Sequence, residues 1–566
     1  MADTPKLSEV EIVKDASNYL RGTIVESLSN RITGALNHDD THLIKFHGSY
    51  QQTDRDLDSE RKLQKLEPLY SFMIRVRVPG GTATPAQWQR MDDLADEYGN
   101  GTIKLTTRQA FQLHGVLKRD LQATIQGFNE ALLDSIAGCG DVNRNVMCSP
   151  NPHESAVHAE VYAAAAAISA HLTPRTTAYW ELWLNGEQQS TTEPADEEPI
   201  YGKTYLPRKF KIALAVPPYN DVDIFANDIG LIAIAEKGKV LGYNVAVGGG
   251  LGMTFGMNET YPRLADIIGF VPAANVLDVC EKVVTIQRDW GNRENRKFSR
   301  LKYTIDKVGL SAFQAELHQR LGYDLTPARP YHFQSSTDAF GWSGNPKGLS
   351  HLTLFIEGGR IHNLPGYALK TALREIAAFH TGEFRLTGNQ NLVLANIKSA
   401  HRSRIQALLE AHGAWPNTAH QTALRQHSLA CVALNTCSQA FAEAERYLPQ
   451  LLDKLDTIIR AHGLAEAGIL IRMTGCPNGC ARPYLGEIGL VGKAPGRYNL
   501  YLGADHAGER LNKLYREMLD EDGILRELTP ILADYAAQRQ PQEGFGDFVI
   551  RQGYVQATTH GLNFHA

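Results

Sequence analysis

Residues 101–116 read GTIKLTTRQAFQLHGV, and residues 382–397 read GEFRLTGNQNLVLANI, with Gly, Leu-Thr, Gln and Leu recurring in register. Three further matches follow the same order: RVRVPGG (75–81) with TLFIEGG (353–359), NRNVMC (143–148) with QHSLAC (426–431), and DIGL…YNVAVGG (228–249) with EIGL…YNLYLG (487–503). Four matches in one order indicate a duplicated α/β unit. A pseudo-two-fold fold of this kind places a pocket for a large ligand between its halves.

Length and composition describe a globular protein of several domains. The 566 residues correspond to three or four domains at about 150 residues each. The chain is 43% hydrophobic and 21% charged, which excludes a disordered protein. A net charge of −5 gives no reason to expect nucleic acid or an anionic membrane as partner. The polar N-terminus has no signal-peptide pattern, so the sequence predicts a cytoplasmic location.

The two copies differ in charge. Residues 74–78 alternate with period two, which predicts a strand with Arg75 and Arg77 on one face. The second copy has Thr353 and Phe355 at the matching positions. Lys209 and Lys211 are likewise expected on one side of a strand that continues through residues 212–216. We align these lysines near residues 474–476 of the second copy, so one half is specialised for positive charge and the other for thiols.

Four of the seven cysteines fall within fifty residues, in the pattern C-x5-C followed by C-x3-C: Cys431, Cys437, Cys476 and Cys480. Seven is too few, and an odd number, for a disulfide framework. Zinc sites favour shorter spacings, whereas an iron–sulfur cluster is larger and tolerates wider ones. The spacing therefore favours a cluster, and a zinc site or unligated core thiols remain as alternatives.

The local sequence suggests how these cysteines are presented. Thr436 and Gln439 fit a capping box, which predicts Cys437 in the first turn of a helix. Gly and Pro in residues 475–480 predict a tight loop whose amides approach a ligand. Residues 440–462 have helical periodicity, with a kink or a break expected at Pro449. The first 60 residues are polar and lack a strong core pattern, so they are predicted to be a flexible arm or a wrapping segment.

The cysteine pattern with TGCPNGC (474–480) resembles the sulfite and nitrite reductase family, whose members couple a 4Fe-4S cluster to sirohaem. The resemblance runs from residue 18 to residue 548 and includes FHGSYQQTDRD (46–56), LTTRQAFQLHG (105–115), NRNV (143–146), YLPRKFK (205–211) and GLVGKAPGRYNL (489–500). FHGSYQQ and YLPRKFK are more similar to the sulfite branch than to the nitrite branch.

The resemblance implies an α+β, internally duplicated sulfite/nitrite reductase fold with three domains around a central cofactor pocket. Its expected parts are an N-terminal arm that docks a partner (1–60), ferredoxin-like halves forming a central domain (61–137 with 340–415), an anion- and sirohaem-binding domain (138–339), and a cluster- and sirohaem-binding domain (416–566).

The resemblance also implies roles for individual residues. The four cysteines would hold the 4Fe-4S cluster, and Cys480 would also ligate the sirohaem iron, so that one sulfur bridges both cofactors. Four basic residues would surround the substrate anion: Arg75, Arg144, Lys209 and Lys211. Four other residues lie in segments that contact sirohaem: Arg77, Arg108, Gln112 and His114. Without the family, the arginines and lysines would be interpreted as solvated surface, and His114 as a structural histidine.

The function implied is the six-electron reduction of sulfite to sulfide. No dinucleotide-binding motif occurs, since the glycines of residues 248–252 match neither G-x-G-x-x-G nor a P-loop. Electrons are therefore expected from a separate flavoprotein subunit that carries FAD and FMN, although a ferredoxin donor remains possible. The alternatives are an assimilatory nitrite reductase with the same cofactors, and a non-catalytic iron–sulfur carrier or zinc-stabilised binding protein.

Overall fold

The computed structural model describes residues 6–150, 155–184, 198–345, 348–415 and 421–565. Its helices are α1 Glu9–Ala16, α2 Ile24–Ser29, α3 Asp40–Leu43, α4 Asp58–Leu63, α5 Pro85–Glu97, α6 Leu121–Glu130, α7 Ala156–His171, α8 Ala178–Trp183, α9 Val276–Trp290, α10 Leu301–Val308, α11 Leu310–Leu321, α12 Leu369–Ala377, α13 Ser399–Ala411, α14 Ala423–Gln426, α15 Leu448–Ala461, α16 Glu521–Gln538 and α17 Phe545–Arg551.

Its strands before residue 300 are β1 Ser49–Thr53, β2 Tyr70–Val76, β3 Thr82–Ala83, β4 Ile103–Leu105, β5 Phe111–Val116, β6 Met147–Cys148, β7 Ile212–Ala215, β8 Ile229–Glu236, β9 Lys239–Val247 and β10 Asp266–Pro272. Those after residue 300 are β11 Gly341–Gly344, β12 Ser350–Leu354, β13 Arg360–Ile361, β14 Asn363–Leu364, β15 Tyr367–Ala368, β16 Glu383–Leu386, β17 Leu392–Ile397, β18 Ser428–Ala430, β19 Ile471–Thr474, β20 Ile488–Ala494, β21 Arg497–Leu502 and β22 Lys513–Leu519.

Two antiparallel sheets contain the repeat that opens the sequence. One has the order β1-β2-β5-β4-β13, and the other has the order β11-β12-β17-β16-β3. The short edge strands are exchanged: β13 of the second copy pairs with β4, and β3 of the first copy pairs with β16. Each half therefore completes the sheet of the other, and the duplication predicted from sequence is confirmed.

The other two large sheets also have one topology. In β6-β7-β8-β9-β10 and in β18-β19-β20-β21-β22, the first two pairings are parallel and the last two are antiparallel. Since parallel strands at the start of each sheet bring their carboxyl ends to one edge, residues that follow β18 and β19 meet there.

The strand register corrects one part of our alignment. Ile212 pairs with Ile229 in the first copy, and Ile471 pairs with Ile488 in the second. Lys211 therefore corresponds to Leu470, and the alignment of the two lysines with residues 474–476 is wrong. The lysines precede their strand, whereas the cysteine loop follows its strand, so the two features lie at opposite ends of equivalent strands.

Equivalent glycine turns allow the halves to approach closely. Gly81 has φ +74° and Gly359 has φ +70°, a region that side chains other than glycine rarely adopt. A Cβ atom at Gly81 would lie 2.5 Å from the carbonyl oxygen of Leu386, and one at Gly359 would lie 2.5 Å from that of Leu105. Each turn of one copy thus packs against the backbone of the other.

The N-terminal segment is part of the folded body. Val13, Leu20 and Ile24 belong to the main apolar core, and Lys14 is completely buried. The expectation that residues 1–60 lack a core pattern is wrong for these positions. The pattern was not recognised because the segment contributes few apolar residues to the core and they are widely spaced in the sequence. The described part of the segment packs as the wrapping alternative predicts.

Two further expectations concern helices. Of the residues 440–462 predicted to be helical, only Leu448–Ala461 form a helix, α15, with Pro449 in its first turn. Residues 440–447 form turns and bends, so the helix predicted before the proline is wrong, while the boundary at the proline is observed. Among the residues that the structure describes, no helix is long and apolar enough to cross a membrane.

Candidate functional site

The cysteine cluster is built at the carboxyl ends of β18 and β19. Cys431 directly follows β18, while Cys476 and Cys480 lie in the loop that follows β19. The backbone N–H of Gly475 lies 3.4 Å from the Cys431 sulfur, the contact expected of an amide that stabilises a thiolate. Two parallel strands thus deliver three of the four thiols to one edge.

Cys437 is presented by turns, and the prediction that it lies in the first turn of a helix is wrong. Its N–H donates to the carbonyl of Ala433 at 3.0 Å, and its own carbonyl accepts from Ala440 at 3.2 Å. The Thr436 hydroxyl has no hydrogen-bond partner among the described residues, so the capping box does not form. Thr and Gln at this spacing are compatible with the turn as well.

The four thiols influence one another electrostatically. Burial raises the pKa of Cys431 and Cys437, and it raises the pKa of Cys476 to about 12; Cys480 adds to the effect at each of the three. Cys480 itself is exposed. Within the described residues, no group of three or more His, Cys, Asp or Glu side chains is arranged to hold a single metal ion.

Two arginines of the first copy are fixed by carbonyl groups of one loop. Arg75, on β2, donates to the Gly138 carbonyl at 3.3 Å and to the Cys139 sulfur at 3.0 Å. Arg144 donates to the Gly140 carbonyl at 2.9 Å and to that of Gly138 at 3.4 Å. Since both guanidinium groups share Gly138, the structure brings them together. The Nε atom of Arg75 is buried without a partner in the described part of the chain.

The two lysines interact electrostatically with Cys480, and Lys211 also interacts with Lys209. Burial lowers the pKa of Lys209 to about 7 with help from Arg208 and Arg300, and Cys480 opposes the change. Burial, then Lys209, lowers the pKa of Lys211 well below its usual value, again against the influence of Cys480. Two lysines of the first copy are therefore electrostatically linked to a thiol of the second copy.

Burial also lowers the pKa of Arg75, but Cys139, Tyr50 and Cys480 together raise it by more. Cys480 therefore interacts electrostatically with Arg75 as well as with both lysines. All three are residues that the resemblance assigns to anion binding.

The residues expected to contact sirohaem have different surroundings. Arg77 binds both oxygens of Asp134, at 3.0 and 2.7 Å, and Arg108 donates to the carbonyls of Asn145 and Ile212 at 2.9 and 2.6 Å. Gln112 is buried opposite Arg75 in the β2–β5 pairing. The polar atoms of Arg77 and Arg108 are thus occupied by protein groups, which indicates that both stabilise the walls of the site.

His114 is a buried neutral imidazole. Its Nδ1 atom lies 3.3 Å from the side-chain oxygen of Gln52, and its Nε2 atom has no partner among the described residues. Burial, then Arg360, lowers its pKa to about 3. The free ring nitrogen is compatible with a contact to a bound group or to water.

Sequence reasoning missed two residues that hold the cysteine loops. Arg55 donates to the carbonyls of Cys437 and Ala440 at 3.0 and 2.6 Å. The Thr107 hydroxyl donates to the carbonyl of Cys480 at 3.0 Å. Both residues lie inside segments that carry the family resemblance, FHGSYQQTDRD (46–56) and LTTRQAFQLHG (105–115), and this resemblance is the signal that could have identified them.

These residues fit a 4Fe-4S cluster beside a large anionic group. Four interacting thiols, with an amide directed at one of them, form a suitable donor set for the cluster. Unpartnered buried polar atoms remain at Arg75, Asn143 and His114 within the described part of the chain. Buried polar atoms are normally satisfied, so these are positions where a bound group would supply the missing partners.

Family models match both parts of the duplication. The model described as "Nitrite/Sulfite reductase ferredoxin-like half domain" matches residues 64–131 and 343–412. The model described as "Nitrite and sulphite reductase 4Fe-4S domain" matches residues 163–325. The ferredoxin-like halves predicted by resemblance are thereby confirmed.

Relatives align over nearly the entire chain. Proteins named sulfite reductase (NADPH) hemoprotein beta-component from Anoxybacillus flavithermus and Geobacillus kaustophilus are each 58% identical, over 558 and 560 residues. A protein of that name from Staphylococcus saprophyticus is 54% identical over 561 residues. In each case 99% of this chain and 98% of the relative are covered.

A solved structure shows the same fold at low sequence identity. The NirA protein of Mycobacterium tuberculosis superposes with a TM-score of 0.79 at 23% identity, covering 97% of each chain. The predicted α+β duplicated fold is confirmed by this agreement.

Proposed function

The chain belongs to the nitrite and sulfite reductase family, and we propose that it is the haemoprotein component that reduces sulfite to sulfide with six electrons. Its relatives, at 54–58% identity over almost the full length, are named for sulfite reduction with NADPH. The cofactors of this family are sirohaem and a 4Fe-4S cluster. The single observation that supports the proposal best is that three half-buried basic residues of the first copy, Arg75, Lys209 and Lys211, interact electrostatically with Cys480 of the second copy.

Four thiols would hold the cofactors: Cys431, Cys437, Cys476 and Cys480. When bound, the cluster would relay electrons and the sirohaem would provide the metal centre at which sulfite is reduced. The amide of Gly475 contacts the Cys431 sulfur, and Arg55 holds the carbonyls of Cys437 and Ala440, so these contacts constrain the positions of two of the thiols. Cys480, which is exposed and surrounded by cations, is our candidate for the thiol shared by both cofactors.

Arg75, Arg144, Lys209 and Lys211 would bind the anion. Sulfite is a compact oxyanion, and charge-assisted hydrogen bonds from guanidinium and ammonium groups recognise its oxygens. The arginines are held by backbone carbonyls, whereas the side-chain nitrogen of neither lysine has a hydrogen bond or ion pair in the described part of the chain. The lysines are therefore free to turn toward a ligand.

Lys209 is the better placed proton donor. Each loss of an oxygen from sulfite as water consumes protons, and a donor works best when its pKa lies near the working pH. Burial, with Arg208 and Arg300, places the pKa of Lys209 at about 7. Arginine does not release a proton in this pH range, so Arg75 and Arg144 serve binding only.

Electrons would come from a flavoprotein that carries FAD and FMN, as in an NADPH-dependent enzyme of two subunits. Support comes from the relatives' names and from the lack of a dinucleotide motif in this sequence. The N-terminal segment is the proposed docking element, because it exposes large apolar side chains: Ile12 at 58%, Val25 at 60% and Ile32 at 96%. All seven cysteines are free thiols, in keeping with a cytoplasmic location.

The test is kcat/KM for sulfite and for nitrite, measured side by side with a reduced viologen, which replaces the flavoprotein. We expect a preference for sulfite of at least about tenfold, with sulfide as product. A preference for nitrite would reverse the substrate assignment while keeping the fold. Absence of the long-wavelength absorption bands of sirohaem from the purified protein would contradict the enzyme assignment itself.

A further inference from the structure

The backbone in front of the two catalytic lysines is held by three cationic side chains. Three consecutive carbonyls each accept a hydrogen bond: Tyr205 from Arg293 at 2.7 Å, Leu206 from Lys14 at 2.7 Å, and Pro207 from Arg296 at 3.3 Å. Lys14 lies on the N-terminal helix α1, and it reaches across 192 positions of sequence to make this contact. A segment distant in sequence therefore fixes the start of the RKFK stretch.

Two buried carboxylates organise these cations. Glu11, also on α1, accepts from Lys14 at 2.6 Å and from Arg293 at 2.5 Å. Asp141 accepts from Arg296 with both oxygens, at 2.7 and 2.8 Å, and lies 3.7 Å from Lys14. Glu11 is 2% exposed, Asp141 3% and Lys14 0%, so these pairs are shielded from water and their geometry is tightly constrained.

Asp141 also connects the two walls of the anion pocket through the backbone. Its carbonyl accepts from the N–H of Leu206 at 3.0 Å, and the next carbonyl, that of Val142, accepts from Phe210 at 3.1 Å. The carbonyl of Phe210 in turn accepts from the N–H of Arg144 at 2.9 Å. Backbone hydrogen bonds therefore join the segment that carries Lys209 and Lys211 to the segment that carries Arg144, beside Asp141.

We propose that Glu11, Lys14 and Asp141 are positioning residues of the sulfite pocket, and that helix α1 is part of the anion-binding machinery. The inference rests on the proposed function for the identity of the ligand, a small oxyanion. None of the three needs to touch that anion. Lys14 holds the Leu206 carbonyl, and the position of Leu206 sets the direction in which Lys209 and Lys211 leave the backbone.

Lys14→Met is the sharpest test because it removes one donor and leaves both carboxylates with arginine partners. A misplaced binding group weakens anion binding steeply, since productive geometry is lost with displacements of about 1 Å. In the holoenzyme with a reduced viologen, we expect KM for sulfite to rise about tenfold while kcat falls less than about threefold.

The second readout is amide hydrogen exchange, which needs no turnover. In Lys14→Met, the amides of Leu206 and Phe210 should exchange at least about tenfold faster, because the segment opens locally more often. Amides in the second copy, such as those of β20, should keep the wild-type rate.

The matched control is Lys370→Met. Lys370 is also a buried lysine, 6% exposed, bound to Asp92 at 3.0 Å and to Asp96 at 2.5 Å on the α5–α12 face. This variant should lose comparable thermal stability and keep both the KM for sulfite and the exchange of residues 205–211. Should Lys14→Met fail to fold, Glu11→Gln, which keeps the shape of the side chain, is expected to change both readouts in the same direction.

The proposal is overturned if exchange in residues 205–211 stays at the wild-type rate, or if KM changes no more than in Lys370→Met. The proposed function has a separate point of failure: a wild-type holoenzyme without sulfite turnover would contradict it, whatever the exchange data show. Faster exchange together with a higher KM would support both.

Discussion

At the scale of single residues, the role proposed for Lys209 predicts an enzyme whose activity depends on pH near neutrality. Its pKa is lowered to about 7, first by burial and then by Arg208 and Arg300. The protonated form is the one that binds an anion and donates a proton, and it is lost as pH rises through this value. We therefore predict that kcat/KM for sulfite falls about tenfold per pH unit above pH 7. A pH–rate profile with a viologen donor measures this.

The matched variant is Lys209→Met, which removes the titrating group and keeps most of its volume. Its kcat/KM at pH 6.5 should be lower than that of the wild type by about 10²–10⁴-fold, and the descending limb should be lost. A variant with the same descending limb would assign the titration to another group, and wild-type rates in the variant would remove Lys209 from the pocket.

Cys480 is the residue on which both cofactors are proposed to depend. Cys480→Ala should purify with little iron and without the sirohaem spectrum, because a thiol shared by two groups supports both. Cys280→Ala is the control: Cys280 is a buried thiol of α9 whose pKa burial raises to about 12, and its loss should leave iron content unchanged. Iron analysis and absorption spectra give the result, and normal sirohaem binding in Cys480→Ala would exclude it as the shared ligand.

At the scale of elements, the glycine turns are where the halves can be perturbed most specifically. Gly359→Ala places a Cβ atom 2.5 Å from the Leu105 carbonyl at φ +70°, so both strain and collision result. We predict a loss of about 2–4 kcal/mol in unfolding free energy. Gly366→Ala has nearly the same φ, +77°, with no atom of the described residues within 4 Å of the added Cβ, and should cost only about 1 kcal/mol. Urea denaturation distinguishes them, and equal losses would show that φ alone is responsible.

Elements were predictable from sequence where a pattern repeats, and less so where one local signal stood alone. The repeat around residues 101–116 and 382–397 correctly predicted equivalent strands, because several matching residues agree on a single alignment of the two copies. The capping box at Thr436 did not form, since the same residues suit a turn and the turn is what lets Cys437 join the other thiols. Local propensity is outweighed there by tertiary contacts.

The candidate site shows the same limit. Spacing identified the four cysteines, and period two placed Arg75 on its strand. Sequence could not show that Arg77 is held by Asp134, nor that Lys14 reaches Leu206, because both contacts join residues far apart in the chain. The alignment of Lys209 with the cysteine loop was wrong because the two copies have little sequence similarity around the lysines. Only the pairing of the strands in the structure shows that Lys211 corresponds to Leu470.

At the scale of the whole molecule, Asp223 connects the two copies. Its carboxylate lies 2.7 Å from Arg472 and 2.7 Å from Arg482, and all three side chains are buried. Asp223→Asn leaves two buried guanidinium groups without their counter-charge, and we predict a loss of about 3–5 kcal/mol in unfolding free energy. The control Glu130→Gln removes an exposed partner of Arg90 and should cost less than about 1 kcal/mol. Thermal unfolding of both variants tests this, and similar midpoints would mean that the contact between copies is not stabilising.

The exchanged edge strands bear on how such a chain could have arisen. With β3 completing one sheet and β13 completing the other, neither half has a finished sheet on its own. A single-copy ancestor with this topology would have had to work as a homodimer that traded these edges, with two equivalent pockets. After fusion of two copies of the gene, only one of the two pockets would have been needed for function. The copies could then diverge, with arginine and lysine accumulating in the first copy and cysteine in the second.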